Sequence, residues 1–327
     1  MRRREFIALA GGAAAGWPLA ARAQQPTMPV IGFLNATSQQ AYSARIAAFR
    51  QGLADAGFVE GRNVAIEFRQ VDGRYDRLPA MAADLVRRRV AVIAATGTAA
   101  ALAAKAATTT IPIIFSTSAD PVETGLVASL ARPGGNVTGT TRLHAQISAK
   151  RMQLLHELVP AAATIALLIN PANPALAEPL LRQAEAAAPT LGLKLHVLRA
   201  SNEREIDEAF SALLPLRAAA LMIGPDSFFY SRSAQLGALV LRHKVPTMYQ
   251  DREFVAAGGL VSYGGDQDDG YRIVGAYAGR ILKGEKPGDM PVHQSTKIEM
   301  LLNLKTAKAL GLTIPPLVLA QADEVIE

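Results

Sequence analysis

Polar side chains that could bind a small molecule follow several of the strands that the sequence predicts. In the first half of the chain, the candidate positions are Asn35, Thr37, Thr96, Gly97, Thr98, Ser116, Thr117 and Ser118. In the second half, they are Asn170, Asn173, Asp226, Tyr249, Gln250, Asp251 and Tyr263. Hydroxyl, amide and backbone N–H groups dominate this set. It therefore favours reversible binding of a small polar or zwitterionic solute over bond cleavage.

Motifs of catalytic chemistry are absent from the sequence. It contains no G-x-S-x-G, H-E-x-x-H, P-loop or G-x-G-x-x-G pattern. It has no cysteine, and its five histidines do not have the spacing of metal ligands. We therefore expect no catalytic residues, no cofactor and no metal site.

Several candidate positions also have a structural interpretation. The segment Thr96-Gly97-Thr98 is the best ligand-binding candidate, because Gly97 would let a ligand approach the backbone closely. The helix that follows would direct free N–H groups at a carboxylate. Asn173 and Asp226 could equally well cap the helices that follow them.

Alternating strand and helix patterns predict the elements that hold these residues. Short strands are predicted at 30–34, 64–68, 90–95, 111–115 and 137–141, and again at 164–169, 194–198, 219–223 and 246–249. The segment 64–68 alternates apolar and polar residues, as an edge strand does. Amphipathic helical segments separate them. Two such series predict an α/β protein with two doubly wound parallel-sheet lobes, in which ligands bind beyond the carboxyl ends of the strands.

The order of these elements predicts how the chain is shared between the lobes. We expect residues 28–142 plus about 266–290 in the first lobe, and residues 143–265 plus about 291–327 in the second. The segment after the last strand of the second series is too short for a third domain, so it should return to complete the first two.

The N-terminus has the features of an export signal. Arginines at positions 2 to 4 precede Phe6, an apolar stretch follows, and Ala21-Arg22-Ala23 fits an A-x-A cleavage site. The paired arginines predict a twin-arginine signal peptide over residues 1–23, and an ordinary secretory signal is the alternative. With either signal, we expect cleavage near Ala23 and a periplasmic protein.

The charge of the chain argues against a nucleic-acid partner. The formal net charge is +6. Residues 1–23 carry four arginines and one glutamate, a net charge of +3, which leaves +3 for the remainder. That charge is small and scattered, so we expect no binding of nucleic acid. No later segment has the pattern of a membrane span, so we expect no membrane insertion of the mature chain.

Several segments resemble the tryptophan-transporter-type substrate-binding family of ABC importers, which has the type I periplasmic binding protein fold. The resemblance covers nearly the whole mature chain. It is carried by Gly52 to Val64, by Asp120-Pro121-Val122, by the segment GLVASLARPGGNVTG at 125–139 and by NLKTAKALGL at 303–312.

This resemblance implies a Venus-flytrap architecture, in which two lobes close on a solute such as an amino acid or a small carboxylate, aromatic ones included. It implies that Thr96-Gly97-Thr98 and Ser116-Thr117-Ser118 hold the ligand's carboxylate and ammonium groups. Asp226 and Tyr263 are the nearest matches to the acid and the aromatic residue of the second lobe. The implied partners are an ABC permease and its ATPase.

Two other functions are compatible with the same fold. A sensory solute receptor would use the same cleft, and a cofactor-free periplasmic enzyme would need an acid such as Asp226 to act in catalysis. A repressor built on this core is excluded, because the chain has an export signal and lacks N-terminal DNA-reading helices.

Overall fold

The computed structural model describes residues 28–37, 42–142, 147–265 and 267–327. The predicted signal peptide lies outside the described residues. Two β-sheets, each covered by helices on both faces, form two lobes. The predicted fold class is therefore confirmed.

The first sheet has six strands, all paired in parallel. In spatial order they are β11 (His293–Gln294), β5 (Val137–Thr141), β4 (Ile113–Thr117), β3 (Val92–Thr96), β1 (Val30–Asn35) and β2 (Ala65–Gln70). Its helices are α1 (Ser43–Asp55), α2 (Leu78–Arg87), α3 (Thr98–Ala107) and α10 (Gln267–Leu282), with 3₁₀ turns at Tyr75–Arg77 and Pro287–Asp289.

The second sheet has seven strands. In spatial order they are β13 (Glu324–Ile326), β12 (Ile298–Asn303), β10 (Val261–Gly265), β9 (Thr247–Tyr249), β8 (Ala220–Ile223), β6 (Thr164–Ile169) and β7 (Lys194–Arg199). Strand β12 runs antiparallel to β10, so this sheet is mixed at one side.

The helices of the second lobe are α4 (Ser148–Leu158), α5 (Pro174–Thr190), α6 (Glu203–Ala212), α7 (Ser227–Ser231), α8 (Ser233–His243), α9 (Arg252–Ala256), α11 (Leu304–Ala309) and α12 (Pro316–Leu319). No helix in the described part of the chain is long and apolar enough to cross a membrane.

The central strands are continuous apolar runs because both faces of each sheet are covered. Successive side chains of a strand point to opposite faces. Phe33 accordingly packs into the apolar cluster on one face of the first sheet, and Leu34 into the cluster on the other face. Leu167 and Leu168 divide in the same way between the two clusters of the second lobe.

Helix α10 follows a strand of the second sheet but packs against α1 of the first lobe. Glycines allow this close approach. A Cβ atom at Gly52 would lie 1.8 Å from the carbonyl oxygen of Arg272, and one at Gly275 would lie 2.0 Å from the carbonyl oxygen of Phe49. The backbones of the two helices are therefore in direct contact.

The chain leaves the first sheet after β11, which ends at Gln294, and joins the second sheet with β12, which begins at Ile298. Strand β11 is still part of the first sheet, since it pairs with β5, and the Ser295 N–H donates to the Thr141 carbonyl. The apolar pattern did not reveal β11, because it has only two residues.

Candidate functional site

A polar cleft lies between the two lobes and has about 380 Å³ of space, part of it open to solvent. The first lobe contributes Tyr42, Arg45, Gly97, Thr98, Ser116, Ser118 and Arg142 to its walls, together with Gln267 and Tyr271 of α10. The second lobe contributes Asn173, Leu176, Asp226, Ser227, Tyr230, Gln250 and Asp251. We call this space the interlobe cleft.

The loop between β3 and α3 brings a helix N-terminus to the interlobe cleft. Gly97 precedes α3 with a φ of 97°, a conformation that glycine adopts without strain. A Cβ atom at this position would lie 3.0 Å from the Ser227 hydroxyl oxygen of the other lobe. Gly97 therefore serves both the turn and the close approach of the lobes.

The hydroxyl groups around this loop support one another. The Thr98 and Thr117 hydroxyl oxygens lie 2.7 Å apart. The Thr117 oxygen also accepts the Ala119 N–H at 3.1 Å. Thr98 thus lines the interlobe cleft, while Thr117 holds it in place from behind.

Asp226 accepts four hydrogen bonds from described residues around the interlobe cleft. Its carboxylate accepts hydrogen bonds from the Asn170 and Asn173 side-chain amides at 2.8 Å, and from the Phe228 N–H and the Tyr75 hydroxyl at 2.9 Å. Burial raises the pKa of this carboxyl, although the hydrogen bonds act in the opposite direction. The bond to Phe228 caps α7, which is the structural alternative that the sequence offered for Asp226.

The Tyr75 hydrogen bond joins the two lobes, because Tyr75 belongs to the first and Asp226 to the second. Burial and the nearby Asp226 raise the pKa of the Tyr75 hydroxyl well above its ordinary value. The phenol therefore stays protonated and donates its hydrogen to Asp226.

A second contact between the lobes is the ion pair of Arg45 and Asp251. The Arg45 Nη2 lies 3.3 Å from Asp251 Oδ1, and both side chains are almost fully buried. The guanidinium carbon also lies 3.5 Å from the ring centre of Tyr230 and 4.7 Å from that of Tyr42. These are cation–π distances, so charge and aromatic contact both stabilise Arg45 in this position.

Burial raises the pKa of Asp251, and the charge of Arg45 acts against that rise. The Gln250 and Gln267 side chains donate further hydrogen bonds to the same carboxylate. Removal of Arg45 would leave a buried acid without its cation.

Arg142 follows β5 directly and presents an incompletely bonded guanidinium group. Its Nη2 donates to the Ser118 hydroxyl at 3.3 Å. Its Nε and Nη1 are buried and have no hydrogen-bond partner among the described residues. Burial lowers the pKa of Arg142, and the charge of Arg45 lowers it further. The group is suited to bind an anion.

The structure brings eight of the predicted site residues to the cleft walls, namely Gly97, Thr98, Ser116, Ser118, Asn173, Asp226, Gln250 and Asp251. It places Thr96 and Thr117 in the strands behind the walls. Asn35 and Thr37 bond to each other in a local turn.

Two predicted aromatic residues lie elsewhere in the second lobe. Tyr249 is buried against Phe254, and its hydroxyl donates to the Asp226 carbonyl at 3.0 Å. Tyr263 packs against the apolar cluster that contains Met300, and its carbonyl accepts from Arg151. Their strands end at the cleft, but these side chains are turned into the lobe.

Sequence reasoning missed Arg45, Arg142 and three tyrosines of the cleft walls, Tyr42, Tyr230 and Tyr271. Arg142 follows a predicted strand, so its position at the end of β5 could have identified it. Arg45 lies on the same helical face as Phe49, where a buried cation is unusual.

Comparison with known proteins identifies the family of this chain. A model of the family described as ABC transporter substrate binding protein matches residues 30–326. This chain belongs to that family. It is 30% identical to a tyrosine-binding protein of Clostridioides difficile (strain R20291) over 267 residues, which are 81% of this chain and 75% of the relative. The protein is therefore a solute-binding receptor of an ABC transporter.

Two solved structures of this kind differ in how well they superpose. A domain from Streptococcus pneumoniae in complex with L-Trp is 27% identical and has a TM-score of 0.80. A ligand-free, open substrate-binding protein from Clostridium difficile is 26% identical and has a TM-score of 0.62. Each alignment covers 91% of this chain and 99% of the other. Since identity and coverage are nearly equal, the chain as a whole superposes better on the L-Trp complex than on the open structure.

Proposed function

We propose that this receptor works in the periplasm, binds an amino acid or small carboxylate with an aromatic side chain, and delivers it to an ABC permease and its ATPase. The observation that carries the proposal is that two buried contacts between the lobes close the polar cleft. These contacts are Tyr75 with Asp226 and Arg45 with Asp251. These contacts can form only when the lobes approach each other.

Three tyrosines in the cleft walls support an aromatic ligand. Tyr42, Tyr230 and Tyr271 provide apolar ring surface beside polar groups. Aromatic amino acids need this combination, and a tyrosine-binding protein and an L-Trp complex are among the relatives. The ligand of this receptor accordingly belongs to the same class.

In this proposal the protein binds and releases its solute and catalyses no reaction. If the protein were an enzyme, Asp226 would be its catalytic acid. Four protein donors already form hydrogen bonds with the Asp226 carboxylate, so it is engaged in structural contacts. Its role is to hold the second-lobe wall and the closed arrangement. The solute should be released chemically unchanged after long incubation.

Residues 1–23 act as a twin-arginine signal in the proposed export route. The two lobes then comprise residues 28–142 with 267–294, and residues 147–265 with 298–327. This division follows the sheet to which each strand belongs.

A thermal-shift screen tests the proposed ligand class. Protein purified from the periplasm is heated with each of the twenty amino acids and with small aromatic carboxylates. A binder raises the unfolding temperature by mass action, and calorimetry should then give a Kd near micromolar or tighter. myo-Inositol, which has no carboxylate, is the control. Stabilisation by myo-inositol but by no amino acid or carboxylate would contradict the proposal.

A further inference from the structure

Among the described residues, the polar atoms of the interlobe cleft that lack hydrogen-bond partners are of two kinds, N–H donors and amide oxygens. On the first lobe, Arg142 has buried N–H donors at Nε and Nη1, and Arg45 has one at Nε, although the Arg45 guanidinium is already paired with Asp251. On the second lobe, the amide oxygens of Asn173 and Gln250 are buried acceptors without a hydrogen-bond donor. An unpaired buried polar atom is costly, so atoms of this kind at a binding site mark where ligand groups bind.

The two acids fix the direction of these amide oxygens. Asn173 donates its NH₂ group to Asp226 at 2.8 Å, and Gln250 donates its NH₂ group to Asp251 at 3.3 Å. A carboxylate oxygen can only accept here, so each amide must turn its nitrogen towards the acid and its oxygen away. Both amides are more than nine-tenths buried and line the interlobe cleft.

The ligand therefore meets a full positive charge on one lobe and neutral acceptors on the other. The second-lobe acids are engaged with protein donors, including Tyr75 for Asp226 and Arg45 for Asp251. An ammonium group would consequently be held by amide oxygens and not by a carboxylate. Amide oxygens accept a hydrogen bond from an uncharged hydroxyl group as well as from an ammonium group.

We propose that Arg142 binds the ligand's carboxylate and that the Asn173 and Gln250 amide oxygens bind a hydrogen-bond donor on the ligand's α-carbon. This inference rests on the proposed function. The receptor then requires the carboxylate but accepts either an amino or a hydroxyl group beside it. Its substrate class comprises α-amino acids and the corresponding 2-hydroxy acids.

A series of head-group analogues tests this specificity. The probes are L-tryptophan, L-indole-3-lactate, 3-(indol-3-yl)propanoate and tryptamine, with the corresponding tyrosine series beside them, and calorimetry gives each Kd. The hydroxy acid should bind within about tenfold of the amino acid. The propanoate leaves two acceptors unpaired and should bind about 10- to 100-fold more weakly than the amino acid. Tryptamine, which has no carboxylate, should lose at least about 100-fold.

A pair of asparagine variants separates ligand contact from structural support. Asn170 and Asn173 both donate to Asp226, but the Asn170 oxygen already accepts the Ala172 N–H at 3.0 Å. Of these two asparagines, Asn173 alone has an amide oxygen without a donor among the described residues. The affinity ratio of amino acid to propanoate should therefore fall several-fold in Asn173→Ala and stay unchanged in the control Asn170→Ala.

The outcomes distinguish this inference from the proposed function. Tight binding of the amino acid with no measurable binding of the hydroxy acid would overturn the inference and leave the proposed function intact. An equal fall of the ratio in both asparagine variants would also overturn it. If neither the amino acids nor their hydroxy and propanoate analogues bind, the proposed function fails and the inference fails with it.

Discussion

Removal of one hydroxyl group at Tyr75 should weaken ligand binding without loosening either lobe. Tyr75→Phe deletes the 2.9 Å hydrogen bond from the first lobe to the buried Asp226 carboxylate. The ring remains, so no cavity forms. When the lobes open, water can replace the bond, and the loss therefore falls on the closed form alone.

The size of this effect follows from the kind of bond. A hydrogen bond to a charged group contributes about 1.5–3 kcal/mol. Each 1.4 kcal/mol corresponds to about a tenfold change in Kd. If the ligand binds to the closed form, Tyr75→Phe should raise Kd by about 10- to 100-fold.

Calorimetry with the bound amino acid measures this change. Tyr277→Phe is a matched control, because the Tyr277 hydroxyl donates to the Pro291 carbonyl near the surface, away from the other lobe. Its Kd should equal that of the unaltered protein. Equal affinities for Tyr75→Phe and Tyr277→Phe would refute the role of Tyr75 in closure.

Three further predictions concern folding, pH and export. Gly52→Ala pushes a methyl group into the backbone of α10 and should destabilise the protein by at least about 1–3 kcal/mol in a denaturant titration, whereas Ala47→Ser on the exposed face of α1 should change little. Arg88 lowers the pKa of Glu67. The ion pair therefore stabilises the fold fully at pH values above the ordinary pKa of a glutamate, and this stabilisation is lost as the pH falls through the lowered pKa of Glu67. As the pH is lowered below about 4.3, the unfolding temperature of Glu67→Gln should therefore fall less steeply than that of the unaltered protein. Identical slopes of unfolding temperature against pH in the two proteins would contradict this. Replacing both Arg3 and Arg4 with lysine should leave unprocessed protein in the cytoplasm, and normal processing would support the general secretory route.

The sequence predicted the fold well because buried parallel strands have a strong local signature. Residues such as Ile31, Phe33 and Leu34 form continuous apolar runs, and turn residues separate them. The return of residues about 266–290, which include α10, to the first lobe was a prediction, whereas β11 lies beyond that segment and was not predicted. The glycine contacts that fix α10 involve pairs more than two hundred residues apart, and no local pattern records them.

The candidate site was predicted less completely. Strand ends located Thr98, Ser118 and Asp226 correctly at the interlobe cleft, since topology alone puts them there. The direction of a side chain depends on packing, which the local sequence does not record. Tyr249 was expected at the ligand from its position at a strand end, but its side chain is buried against Phe254. Arg45 was missed because its burial depends on Asp251 in the other lobe.

Closure on a solute is the central claim, and small-angle X-ray scattering tests it most directly. The radius of gyration is measured with and without the amino acid that binds most tightly in calorimetry. Ligand should shift the lobes towards the arrangement described here, with its buried contacts at Tyr75 and Arg45, and the radius should decrease. A radius that stays the same at saturating ligand would contradict closure as the basis of this receptor's function.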